Sequence, residues 1–152
     1  MIDFKGKIET IPGRVNYLIL PLPLFDRQGI SVAINFARQV YNINVSTDIL
    51  DMYSNYRVDG LHRKSIDGVE VYPLYFKLFD YTANIVRNNI TIRVNGNQVE
   101  KLIEFLKNFK TIEFYITYRI KDIMTKDNYM YFLKRFMKEK DVTNLHIINP
   151  YG

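Results

Sequence analysis

The chain has 152 residues, 47% of them hydrophobic and 14% aromatic, with 21 Lys and Arg against 16 Asp and Glu and no cysteine. That make-up excludes a mainly disordered chain, and the absence of cysteine excludes disulfides, thiol nucleophiles and Cys-ligated zinc or iron–sulfur centres. A chain of this size buries about 70% of the surface its unfolded form exposes, so we expect one compact domain over 1–152, with a β-rich sublobe over 1–86 and a β-α-β-α-β sublobe over 87–152.

The start of the chain carries Asp3, Lys5, Lys7, Glu9 and Arg14, which is not the basic start and apolar run of a leader. The longest apolar stretch, Tyr17 to Phe25, is interrupted by Pro21 and Pro23 and is too short to span a bilayer. The expected location is the cytoplasm, of the host cell if the protein is viral. Usage of 19 Ile, 14 Asn, 12 Lys and 12 Tyr against 3 Ala and 3 Gln is that of an AT-rich genome, common among archaea, viruses and phages.

Phe4 to Ile11 and Val15 to Leu20 flank Pro12-Gly13, a pattern that predicts a hairpin. Ile30, Val32, Ile34 and Phe36 alternate with smaller or polar residues, and a helical set, Ile30, Ala33, Ile34 and Ala37, competes. The β-branched residues and Gly29 favour strands here, with another at Val40 to Val45. Ser46-Thr47-Asp48 reads as the cap of a short helix reaching Tyr53. Asp67-Gly68 is a hairpin turn signal leading into a strand over Val69 to Phe79, where Pro73 implies an edge or a bulge. The front half therefore reads as antiparallel β.

Further on, Ile90, Ile92 and Val94 alternate up to Asn95-Gly96-Asn97. Asn97 with Glu100 resembles a capping box for a helix whose apolar stripe is Val99, Leu102, Ile103 and Leu106, with Gln98, Lys101, Glu104, Lys107 and Asn108 on its solvent face. Thr111 to Ile120 reads as a central strand. Thr125 caps a helix over Lys126 to Lys140 with Tyr129, Phe132, Leu133 and Phe136 inward, and Asn144 to Ile148 forms the last strand. The fold class expected is α+β, an antiparallel β-rich N-terminal part followed by a β-α-β-α-β C-terminal part sharing one core.

Charge is uneven: residues 1–76 hold 8 basic and 8 acidic side chains, residues 77–152 hold 13 and 8. A basic half points first to nucleic acid, because neutralised phosphates release counterions. The expected function is a non-catalytic DNA- or RNA-binding protein. Its phosphate or anion contacts are Arg87, Arg93, Asn95, Asn97, Lys101, Lys107, Arg119, Lys121, Lys134, Arg135 and Lys138, with Tyr115, Tyr118 and Tyr129 as stacking rings. If the three C-terminal strands run parallel, the segments after them meet on one edge and the helix start after Asn95 favours an anion.

The alternative is a protein-interaction module, a homodimer or an adaptor or inhibitor of a host or viral factor. A metal-dependent nuclease using Asp67 and Glu70 is the third reading. No cofactor is implied. His62 and His146 lack partners at metal-ligand spacing, and no nucleophile elbow or glycine-rich phosphate loop occurs.

Overall fold

The computed structural model describes residues 3–5, 17–24, 29–47, 50, 63–66, 69–84, 86, 89–117 and 126–148. Strand β2 (Tyr17–Pro23) is apolar at every position, the pattern of a strand covered on both faces, and it lies in the middle of the sheet. It pairs in parallel with β4 (Val69–Asn84) on one side and β6 (Phe114–Thr117) on the other. Strand β7 (Leu145–Ile148) is parallel to β6, and β1 (Asp3–Lys5) is parallel to β7. Among the described residues the two peripheral strands, β3 (Lys64–Ile66) and β5 (Asn89–Val94), are the antiparallel ones, and both pair with β4.

The sheet is thus mixed and mainly parallel, which corrects the antiparallel reading of the front half. Parallel neighbours need crossover connections, and that requirement decides residues 30–41. They form helix α1 (Ile30–Tyr41), not strands, joining β2 to β4. The helical set wins because Ala33 and Ala37, both fully buried, let the helix lie close to the sheet, while Phe36 packs on Phe79 at 6.3 Å. Val40 and Tyr41 close that helix, and Asn42 ends it in the left-handed region at φ 56°, a conformation Asn tolerates. Ile43 and Val45 are buried in irregular chain, so no strand runs over 40–45.

The expected hairpin of the first two strands is also corrected, since β7 and β6 separate β1 from β2. Residues 6–16, with the Pro12-Gly13 signal, lie outside the described residues, as does most of the short helix expected after Ser46. Strands β3 and β4 pair antiparallel with Ile66 opposite Val69, while Asp67 and Gly68 lie outside the described residues. Pro73 pairs with Leu18 of β2, just beyond the last residue that β3 reaches, Val71. Pro23 accompanies a register shift in the β2–β4 ladder.

Helix α2 (Gly96–Asn108) and helix α3 (Lys126–Met137) follow in the second half. The parallel strands stand in the order β4-β2-β6-β7-β1, so the chain winds first towards β4 and then reverses to β6. Helix α1 packs on the sheet through Phe36 against Phe79, and α2 through Phe105 against Phe76 and Phe114. The last part is β-α-β-α-β as expected, but β5 runs against β6 and β7. It pairs with the Phe79–Asn84 end of β4 and returns the chain to Asn95, whose N–H bonds the Leu78 carbonyl at 2.8 Å.

Phe105 of α2 packs on Phe76 (4.9 Å), Phe114 (5.4 Å) and Phe109 (4.8 Å), joining helix to sheet. The buried Asn144 donates to the carbonyls of Leu106, Phe109 and Ile112 at 3.1, 2.8 and 3.0 Å, fixing the passage from α2 into β6.

Candidate functional site

The chemistry-bearing residues of the second half gather on α2 and α3, and the structure sorts them into paired and unpaired groups. Arg135 makes a bidentate pair with Glu100 of α2 (2.6 and 2.7 Å) and also reaches Glu139 at 3.1 Å. Lys107 bonds Glu139 at 3.0 Å. Two cations and two carboxylates therefore neutralise one another and tie the helices side by side. The Arg135 and then Lys107 contacts shift the titrations accordingly: Glu100 is lowered chiefly by Arg135, Glu139 is lowered chiefly by Lys107, and Lys107 and Arg135 are raised. Of the expected phosphate contacts, Lys107 and Arg135 are thus engaged in holding the fold.

The start of α2 is also occupied by the protein itself. Its cap is Asn95, two residues before the expected Asn97, and the Asn95 side-chain oxygen accepts the Gln98 N–H at 3.1 Å. The Asn95 amide donates to Asp80 at 3.0 Å, which sets a carboxylate beside the helix start where an anion was expected. Asn97 is an exposed helical residue. Gln98, expected on the solvent face, is buried and donates to the Lys77 carbonyl at 2.7 Å. A Cβ at Gly96 would stand 3.1 Å from the Tyr131 hydroxyl, so the bare glycine admits that ring over the beginning of α2.

Tyr115 is 6% exposed and lies against His146 at 5.0 Å, so it offers no open face for a base. His146 in turn meets Glu113, the residue just before β6, at 2.5 Å. Tyr118, Arg87, Arg119, Lys121, Asp67 and His62, and the side chain of Tyr129, lie outside the described residues. Glu70 is exposed and paired with Arg63 at 2.8 Å, and Arg63 stacks on Tyr72. Among the described residues no group of three His, Asp or Glu side chains is placed to hold a metal ion.

Of the expected cationic contacts, Arg93 on β5, Lys101 on α2, Lys134 on α3 and Lys138 in the turn just after it are exposed. The last two share their helix face with three apolar side chains that the sequence reading passed over: Met130 (38% exposed), Tyr131 (47%) and Met137 (65%). At about 100° per residue, Met137, Met130, Lys134, Asp127, Lys138 and Tyr131 fall within an arc of roughly 120° on the side away from Phe132, Leu133 and Phe136. The signal lay in the sequence, because the inward stripe of α3 leaves these methionines on the opposite face. Comparison with protein-family models, with curated proteins and with solved structures finds no match to this chain.

Proposed function

We propose that the chain is a non-catalytic protein-interaction module whose docking surface is the outer face of α3. The observation that carries this reading is the grouping of Met130, Tyr131 and Met137 on one exposed helix face, beside Lys134 and Lys138. Large apolar side chains gathered on a surface mark contact sites, and methionine adapts to irregular partner surfaces. Lysines around such a patch supply orientation and rate of encounter.

The test is photo-crosslinking in the producing cell with a benzophenone amino acid at position 137, and at the exposed Gln39 of α1 as control. A discrete protein adduct from 137 and none from 39 supports the reading. No adduct from 137, or the same products from both positions, refutes it.

Nucleic-acid binding is kept as a second reading because Lys101, Arg93, Lys134 and Lys138 are exposed and the chain carries a net charge of +5. It requires affinity for oligonucleotides that falls steeply as salt is raised from about 50 to 200 mM. The nuclease reading gains no support, since Glu70 is engaged with Arg63 on an exposed hairpin.

A further inference from the structure

The occupant of the α3 face is restricted by the charges around it. We infer that the partner docks an acidic amphipathic helix along α3, an inference that rests on the docking role proposed above.

Met130 and Met137 are seven residues apart, about 10 Å along the axis, which is the spacing of apolar side chains at i and i+7 on a facing helix. Lys134 lies between them in sequence, and Lys138 stands one turn further on; both are exposed. Near them the acids Glu100 and Glu139 are already engaged with Arg135 and Lys107, so neither lysine is answered by those carboxylates. The exposed Asp127 lies at the opposite, N-terminal end of the face. A partner helix with apolar residues at i, i+3 or i+4, and i+7, and with Asp or Glu along their flanks, answers both halves of this surface. Its methyl groups cover the methionines and the Tyr131 ring, and its carboxylates reach Lys134 and Lys138.

Other occupants fit less well. A second copy on the same face sets the lysines against their own equivalents if it docks parallel and, if it docks antiparallel, offers the one carboxylate of Asp127 to two lysines. A polynucleotide finds two lysines for its phosphates among the described residues of this face, and Asp127 at the N-terminal end repels it. A bilayer would meet this face through Met130, Tyr131 and Met137 beside two lysines, with Asp127 set against anionic headgroups.

The test uses a fluorescein-labelled 18-residue peptide with Leu at i, i+4, i+7 and i+11, Glu on both flanks and Ala elsewhere. Its controls are a shuffled peptide of the same composition and a charge-reversed peptide with Lys for Glu. A 20-nucleotide single strand and anionic vesicles are titrated in parallel, all at about 100 mM salt with the full chain. Anisotropy is expected to rise with the acidic peptide, and the shuffled and charge-reversed peptides should bind about tenfold or more weakly. Both the Lys134→Glu/Lys138→Glu pair and Met137→Glu should weaken the acidic peptide by about tenfold with unchanged circular dichroism.

Equal binding of the three peptides, or of the acidic peptide to the variants, overturns the inference, as does tighter binding of the oligonucleotide or the vesicles. If the peptide fails while the crosslink from position 137 to a protein persists, the partner chemistry falls and the docking surface stands. If that crosslink is absent, both fall.

Discussion

Asn144 and Gln98 are the buried polar side chains among the described residues, and Asn144 is the more deeply buried of the two. Its amide carries two hydrogens and meets three carbonyls, those of Leu106, Phe109 and Ile112. Leu106 and Phe109 each accept a second backbone N–H, from Phe109 at 3.3 Å and Ile112 at 3.1 Å. Only the Ile112 carbonyl has Asn144 as its sole donor among the hydrogen bonds described.

Leaving a buried acceptor unsatisfied costs about 1–3 kcal/mol, and losing a bond at a carbonyl that keeps another partner costs about 0.5–1 kcal/mol. Asn144→Ala should therefore destabilise the chain by about 3 kcal/mol. With an unfolding entropy of about 0.3 kcal/mol/K for a chain of this length, that is a fall in Tm of about 9 °C. Urea unfolding followed by circular dichroism measures it directly, and the absence of tryptophan leaves tyrosine emission as the second probe. Asn144→Asp should be worse at neutral pH, because a carboxylate would face three carbonyl oxygens. Its folded-state pKa is then raised above the unfolded value near 3.9, so the penalty is smallest below about pH 4 and grows as pH rises. A loss under about 1 kcal/mol for Asn144→Ala would refute the claim that this side chain holds α2, β6 and β7 in register.

Three further outcomes follow from the same contacts. Asn95→Ala removes the cap of α2 and the partner of Asp80, and should cost about 1 kcal/mol in urea unfolding, whereas Asn97→Ala should be near neutral. The lowered Glu100 and Glu139 carboxyls contribute stability that is present above the ordinary value of 4.5 and lost as pH falls through their depressed values. The drop in urea midpoint below that pH should accordingly be shallower in Arg135→Met than in the parent, and an unchanged slope would argue against the α2–α3 ion pairs. Met137→Glu, at an exposed site, should alter stability by no more than about 0.5 kcal/mol, so that any loss of binding is a surface effect.

The parts of the fold legible in the sequence are those set by local pattern. Val99, Leu102, Ile103 and Leu106 form a single-period stripe, Asp67-Gly68 has one hairpin meaning, and the unbroken apolar run around Phe114 to Ile116 marks a central strand. Residues 30–37 satisfy two periods at once, and only the need for a crossover between two parallel strands decides between them. The partner of β1 is 141 residues and more away in sequence, at His146 to Ile148, where no turn signal can reveal it. The cap at Asn95 was missed because Asn97 offers the same side chain with a more usual acid three residues on.

Charge was the least legible property of the candidate site. Counting lysines and arginines treats Arg135 and Lys107 as free, while their carboxylates come from residues 32 and 35 positions distant that the fold brings alongside. Once those pairs are set aside, the surface that remains is a mixed apolar and basic helix face.

The docking role of that face is tested most directly by crosslinking from position 137 in the parent and in the Lys134→Glu/Lys138→Glu background. One discrete protein adduct is expected in the parent, and it should fade in the charge-reversed chain while the circular dichroism stays the same. An adduct of equal strength in both, or an adduct to nucleic acid in place of protein, would contradict it.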